Sequence, residues 1–129
     1  MSNFEKNLEQ ALINAKRLTD KILIDGKLVS AQSKNKIPVL NPSTGENIGS
    51  APQCDKNDVN IAVESAHKAF QKWKKIPARE RGKMVAAGAK RLEERKSEIE
   101  TLLSLDTGNA LRTQAIPETG ASIELTNMF

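Results

Sequence analysis

Cysteine, histidine and aromatic residues are scarce in this sequence of 129 residues. It contains one cysteine (Cys54), one histidine (His67), one tryptophan (Trp73), three phenylalanines and no tyrosine. A single cysteine excludes an intramolecular disulfide and any metal centre built from several thiolates. Because aromatic side chains supply much of the packing energy of a core, we expect a weak core built mainly from Ala, Leu, Ile and Val. The shortage of rings indicates that a partner surface is missing.

Long apolar runs are also absent. The N-terminal stretch MSNFEKNLEQ is charged where a signal peptide needs an apolar segment. Nowhere do about 18 uncharged apolar residues follow one another, as a membrane-spanning helix requires. With 28% charged residues and a mean hydropathy of −0.49, the chain is predicted to be soluble. These features and the lone cysteine predict a cytoplasmic protein without membrane association.

The first half of the chain predicts one helix followed by short strands, within a length that suits a single domain. Apolar residues recur at helical spacing over residues 4–18. Asp25-Gly26 lies between two apolar runs, a strong β-hairpin signal, which predicts a hairpin over residues 22–31. A second extended pair, over residues 36–40 and 46–52, is joined by the tight turn NPSTG.

The second half predicts helices. Apolar residues from Val59 to Trp73 fall on one helical face, so Phe70 and Trp73 are predicted to lie in the core. Asp55 or Asp58 is placed to cap the start of this helix. Pro77 opens a second, long helix that ends at Gly108, and a weak helical stretch follows Pro117. The long helix is predicted to face inward through Met84, Val85, Ala89, Leu92, Ile99, Leu102 and Leu103, and Gly82 and Gly88 predict close approach by a neighbouring backbone.

Cys54 and His67 are the obvious candidates for a catalytic pair, but their spacing argues against one. Cys54 lies in the loop before the helix. His67 lies on the flank of the same helix, more than three turns further on and therefore roughly 15–20 Å away. The sequence contains no GxGxxG, P-loop, HExxH or CxxC motif. We therefore assign no catalytic, cofactor-binding or metal-binding residue.

Basic residues are concentrated between residues 68 and 96. This segment holds eleven Lys and Arg residues and three Glu residues, in a chain whose formal net charge is +4. Such a pattern on two helices is more typical of solvated helix faces than of a phosphate-binding stripe. Solvated faces are therefore the favoured interpretation, and non-specific nucleic-acid binding stays open as a minor alternative.

The order of the motifs resembles the N-terminal portion of the NAD(P)-dependent aldehyde dehydrogenase superfamily. The motifs are Ile24-Asp25-Gly26, the NPSTGE turn from Asn41 to Glu46, an A-x-x-A-F-x-x-W pattern that ends at Phe70 and Trp73, Pro77 with Arg81, and Thr107-Gly108. The resemblance covers residues 22 to about 125. Asn109 stands where most members of the family have Lys. Asn at this position resembles a variant carried by a subset of the family.

The resemblance implies an α/β family in which this piece is α+β. Two short β-hairpins or a meander and three to four helices would form an incomplete dinucleotide-binding domain. Residues 1–20 would be an N-terminal helical extension, and residues 21–129 the N-terminal part of the cofactor-binding domain. The complete family oxidises an aldehyde to a carboxylic acid with NAD or NADP through a cysteine nucleophile in a G-Q-x-C setting. Cys54, in APQCDKN, does not match that setting.

The family's nucleophile, general base and cofactor-binding elements would all lie beyond residue 129. We therefore expect a truncated or fragment chain that binds no cofactor and is inactive alone, with the remainder of an aldehyde dehydrogenase fold as its partner. The alternatives are a small non-catalytic interaction module that docks through exposed helices, and a weak basic nucleic-acid binder.

Overall fold

The computed structural model describes residues 3–128, and for residues 3 and 4 the backbone alone. Phe129 and the side chain of Phe4 therefore lie outside the described residues. The predicted α+β class with two short hairpins is confirmed. The elements are α1 (Asn3–Leu18), β1 (Lys21–Ile24), β2 (Lys27–Ser30), β3 (Lys36–Leu40), β4 (Asn47–Pro52), α2 (Lys56–Trp73), α3 (Ala78–Glu94), α4 (Lys96–Thr107), a π-helical turn (Leu111–Ala115) and α5 (Ile116–Asn127).

The two hairpins form separate antiparallel sheets of two strands each. In the first, Asp25 and Gly26 both have positive φ, 51° and 72°, as a two-residue type I′ turn requires. In the second, β3 and β4 pair with a register shift between Val39 and Leu40. Because each sheet has only two strands, every strand is an edge, and Pro38 is tolerated within β3.

The turn between β3 and β4 packs directly against the end of α4. Asn41 organises this turn, since its carbonyl oxygen accepts the amide of Gly45 at 2.7 Å and its side chain accepts the amide of Ser43 at 2.9 Å. Gly108 ends α4 with φ of 75°. A Cβ built on Gly108 would lie 2.8 Å from Cγ of Pro42. This junction therefore requires glycine for two reasons, its backbone conformation and the space that it leaves.

Asp20 joins the end of α1 to the second hairpin. It has a positive φ of 58°, and its amide donates to the carbonyl oxygen of Ser50 at 3.0 Å. Its carboxylate accepts the Ser50 hydroxyl at 2.7 Å and pairs with Lys36. The hydrogen bond from Lys36, followed by that from Ser50, lowers the pKa of Asp20.

Helix α1 also packs along α4. Ala11, fully buried, allows close approach of the two helices. On α4, Glu98 accepts two hydrogen bonds from Arg95, at 2.6 and 3.0 Å. The hydrogen bond from Arg95 is the main cause that lowers the pKa of Glu98, and contributions from Asn14 and Arg17 on α1 add to it. Glu98 thus links α4 electrostatically to α1.

The prediction of one continuous helix from Pro77 to Gly108 is wrong, because the helix is broken into α3 and α4 at Arg95. Arg95 has φ of −113° and ψ of 15°, outside the helical region. The break lets α3 pack against α5 while α4 packs against α1. The predicted close approach at Gly88 is also not seen, since no described atom lies within 4 Å of a Cβ built there.

The helical stretch predicted after Pro117 begins earlier, with the π-helical turn. Pro117 has no amide hydrogen, and its ring excludes a normal helical bond to the preceding turn. In that turn the amide of Ala115 bonds to the carbonyl oxygen of Ala110 at 3.2 Å, which is the spacing of a π bulge. Helix α5 then buries Thr119 and Ile123.

The core of the described chain is small. Its buried apolar residues are Ala11, Ala89, Ala115 and Ile123, and no large side chain is completely buried. The chain exposes 9439 Å², whereas a compact monomer of this mass exposes roughly 6,700 Å². Met84 and Leu92, predicted to face inward, are 53% and 38% exposed. The chain's own residues therefore leave much apolar surface uncovered.

We predict opposite effects for alanine at two glycines. Gly108→Ala is expected to lower the free energy of unfolding by about 2–4 kcal/mol, because it combines an unfavourable positive φ with overpacking against Pro42. Gly88→Ala is the matched control. This substitution is expected to raise the free energy of unfolding by up to about 1 kcal/mol, because it adds a better helix former in open space. Urea unfolding followed by far-UV circular dichroism measures both. A shift of both midpoints in the same direction would contradict this account.

Candidate functional site

Cys54 and His67 do not come together in the structure. Cys54 lies in the loop between β4 and α2, exposed and not in a disulfide. His67 lies on α2 and is exposed, with its Nε2 atom 3.1 Å from the Gln71 side-chain amide nitrogen. Since α2 rises by about 1.5 Å per residue, the two side chains are roughly 15–20 Å apart. The geometry offers no nucleophile and base pair from these residues.

Acidic and histidine side chains are also dispersed. Among residues 3–128, no three His, Cys, Asp or Glu side chains lie close enough to hold a metal ion. Over the same range, no helix combines the length and the hydropathy that a bilayer crossing demands.

Asp58 fixes the start of α2 to the rest of the chain. It forms a capping box with Asp55, whose carboxylate accepts the amide of Asp58 at 3.0 Å while Asp58 accepts the amide of Asp55 at 3.1 Å. The Asp58 carboxylate also accepts the amides of Gln32 at 2.7 Å and Ser33 at 3.4 Å, in the segment after β2. The sequence predicts Asp55 or Asp58 as the cap. In the structure both residues form the cap. The long-range hydrogen bonds to Gln32 and Ser33 were not predictable from the local sequence.

The hydrogen bonds make Asp58 a stronger acid. The amide of Gln32 is the main cause that lowers the pKa of this buried carboxyl below 3.8, with smaller contributions from Asp55 and Ser33. Burial opposes the shift. The ionised form of Asp58 therefore holds α2 in place.

Beyond this anchor, the apolar face of α2 is uncovered. The predicted helical stripe is correct, but the prediction that Phe70 and Trp73 lie in the core of this chain is wrong: they are 52% and 37% exposed. Val59 and Val63, on the same stripe, are 52% and 61% exposed. The periodicity identifies a face that needs cover, and no element among the described residues provides it.

A groove of about 1000 Å³ runs along α2 next to the first hairpin. Ile24 at the end of β1 forms one side of this groove. The lining also includes Ile61, Phe70 and Trp73 of α2 and Ile76 just after it. The groove is mainly apolar, so it suits an apolar surface better than a polar small molecule.

The basic segment divides into a paired and an unpaired part. On α3, Lys83 pairs with Glu80 and Arg91 with Glu94, each at 2.8 Å. Four lysines at the end of α2 and just after it form no ion pair within residues 3–128. They are Lys68 and Lys72 on α2 and Lys74 and Lys75 after it, and Lys74 lies 5.7 Å from the centre of the Phe70 ring. Lys74 therefore places a positive charge beside the exposed Phe70 ring.

The described residues do not fit a dinucleotide site. Such a site needs parallel strands with a crevice at their carboxyl ends and a helix N-terminus directed at the pyrophosphate. Both sheets here are antiparallel pairs of strands, and the N-terminus of α2 is occupied by the capping box of Asp55 and Asp58.

Comparison with known proteins shows the family of this chain. The profile of the Aldehyde dehydrogenase family matches residues 28–129. The chain belongs to the aldehyde dehydrogenase family. It is 36% identical over 114 residues to phenylacetaldehyde dehydrogenase of Pseudomonas fluorescens, a match that covers 87% of this chain and 23% of that protein. It is 40% identical over 91 residues to a mitochondrial benzaldehyde dehydrogenase of Antirrhinum majus, with 69% and 17% covered.

Solved structures also agree with this chain over nearly its full length. HpcC of Thermus thermophilus superposes with a TM-score of 0.89 at 27% identity, covering 96% of this chain and 24% of that one. Betaine aldehyde dehydrogenase of Staphylococcus aureus, in complex with NAD+, superposes with a TM-score of 0.84 at 28% identity, covering 94% and 24%. The predicted membership of the aldehyde dehydrogenase family is confirmed. The chain spans about a quarter of the length of these relatives.

Acid is expected to destabilise the anchor of α2. Because the pKa of Asp58 is lower in the folded chain than its ordinary value of 3.8, its contribution to stability is present above that value and is lost as pH falls through the folded pKa. Asp58→Asn should therefore be less stable than the parent chain at pH 7, and the difference should shrink below about pH 4. Urea unfolding at several pH values measures this difference.

Asp55→Asn is the matched control for this experiment, because Asn caps a helix about as well as Asp. Its urea midpoint should stay close to that of the parent chain at pH 7. An Asp58→Asn difference that grows towards acid pH would refute the role of the ionised carboxylate.

Proposed function

We propose that this protein forms the N-terminal segment of an NAD(P)-dependent aldehyde oxidoreductase. In this proposal its function is structural: it supplies α2, α3 and the two hairpins to a fold whose chemistry is carried by other residues. The partner is the remainder of an aldehyde dehydrogenase fold. The cytoplasm is the proposed compartment, because one cysteine allows no internal disulfide.

The main support for this proposal is that the chain spans only part of its relatives and exposes an apolar helix face. The family profile matches residues 28–129, yet the chain spans about a quarter of the relatives to which it is similar. Over the same residues, the apolar stripe of α2 is open to solvent. A segment adapted to a larger fold would have both properties.

We also propose that the 129-residue chain is catalytically inactive by itself. The family's chemistry needs a thiolate in reach of a base and of the nicotinamide. Cys54 is exposed in a loop, and its separation from His67 leaves it without a base. The two antiparallel sheets offer no dinucleotide crevice.

Two assays on the purified chain test this proposal. Fluorescence titration with NADH and NADPH, up to about 1 mM, the upper end of usual Michaelis constants, should show no saturable binding. Absorbance at 340 nm should show no reduction of NAD or NADP with phenylacetaldehyde or benzaldehyde as substrate. Full-length phenylacetaldehyde dehydrogenase of Pseudomonas fluorescens serves as the positive control. Saturable binding or turnover by the chain alone would overturn the proposal.

A further inference from the structure

The tip of the first hairpin carries a chemically reactive pair of residues. Of the five aspartates in the sequence, Asp25 alone is followed by glycine, and no asparagine precedes a glycine. We propose that Asp25-Gly26 is a site of spontaneous covalent modification, at which the backbone isomerises from aspartyl to isoaspartyl. This inference does not depend on the proposed function, because the bonds that change all lie within the hairpin.

The reaction needs no reactant other than water. The Gly26 nitrogen attacks Cγ of the protonated Asp25 carboxyl, so that a new C–N bond closes a five-membered succinimide ring and one molecule of water leaves. Water then adds back to the ring. Cleavage of the bond from the nitrogen to Cγ restores aspartate, whereas cleavage of the bond from the nitrogen to the main-chain carbonyl carbon leaves Gly26 attached through Cγ, as isoaspartate.

The structure leaves the attacking nitrogen accessible. Among residues 3–128, the amide of Gly26 donates no hydrogen bond, and both Asp25 and Gly26 are exposed. A Cβ built on Gly26 would meet no described atom within 4 Å, so no packed neighbour shields the tip. Glycine also has the backbone freedom that ring closure requires, because it has no Cβ of its own.

The hairpin must open at its tip before the ring can close. Ring closure fixes the ψ angle of Asp25 far from its value in a type I′ turn. Opening meets little resistance here, because the sheet has only two strands, a size that is marginally stable, and every residue of β2 is exposed. Loop tips of this kind open at little cost in free energy.

Isomerisation changes the hairpin and the groove beside it. The main chain of isoaspartate contains one extra atom, so a two-residue type I′ turn no longer joins Ile24 to Lys27, which are paired across the strands. Ile24 and Asp25 line the groove to which Trp73 also contributes. Because Trp73 is the only tryptophan of the chain, its emission reports a displacement at this groove.

Ageing of the purified chain tests the site. The chain is kept for several weeks at physiological temperature and neutral pH and is then digested with trypsin, which releases residues 22–27 as one peptide. The digest is incubated with an isoaspartyl methyltransferase and labelled S-adenosylmethionine. We expect label to accumulate in that peptide with time and the emission of Trp73 in the undigested chain to shift in parallel. A digest of freshly purified chain gives the background.

Asp25→Glu is the matched control. It keeps the charge, but ring closure would need a six-membered ring, which forms far more slowly. Glutamate is no better suited than aspartate to a positive φ, so the tip of the variant opens at least as easily. Its peptide should stay at background, and the emission of Trp73 should not change with age. Asp25→Asn is the positive control and should label faster than the parent, because its neutral amide reacts with loss of ammonia and needs no protonated carboxyl.

Ageing in urea measures how far the fold protects the site. The unfolded chain has no turn to open, and the folded chain should label within roughly tenfold of it, as expected for a tip that opens at a free energy near zero.

The proposal fails if label in the parent peptide does not exceed that of Asp25→Glu, if label accumulates only in urea, or if it lies mainly in peptides other than residues 22–27. An emission of Trp73 that stays constant while the parent peptide becomes labelled would refute the effect on the groove.

Discussion

Burial of apolar surface is the main favourable contribution to folding, and this chain has little of it within its own boundaries. Among the described residues, the buried apolar ones are three alanines and Ile123. Several large apolar side chains, among them Val63, Phe70 and Met84, are more than half exposed. The shortage of buried apolar surface matters most for α2, because an amphipathic helix is stabilised mostly by what its apolar face packs against. The arrangement supports the proposal that the chain is a segment of a larger aldehyde dehydrogenase fold.

The geometry of the chain is nevertheless well specified by polar and steric contacts. Asp58 ties α2 to the segment after β2, Asp20 ties α1 to β4, and Gly108 lets the end of α4 contact Pro42. These contacts are directional and short-range, so they determine orientation without needing a large core. They position the uncovered faces consistently, which is what assembly with further residues requires.

The sequence predicted the local structure well because local signals determine it. Asp25-Gly26 specified the first hairpin, Asn41 to Gly45 the second turn, and the apolar spacing from Val59 to Trp73 specified α2. The burial of Phe70 and Trp73 was not predictable in the same way, because periodicity identifies an apolar face but not the chain that covers it. The break at Arg95 was missed because it has neither Pro nor Gly. Nothing local indicated that Asp58 would bond to Gln32, since that contact joins residues 26 positions apart.

The break at Arg95 has a consequence for how the helices behave as a group. Its two sides pack mainly against different helices, α3 against α5 and α4 against α1, although α4 also contacts α5 and the π-helical turn. Arg95 has non-helical backbone angles, so the helical geometry is interrupted at the junction. Fraying of α3 is therefore not carried into α4 along a single helix, and the contacts of α4 with both α1 and α5 couple the helices instead. A single residue thus moves the coupling between helices from the backbone to tertiary packing.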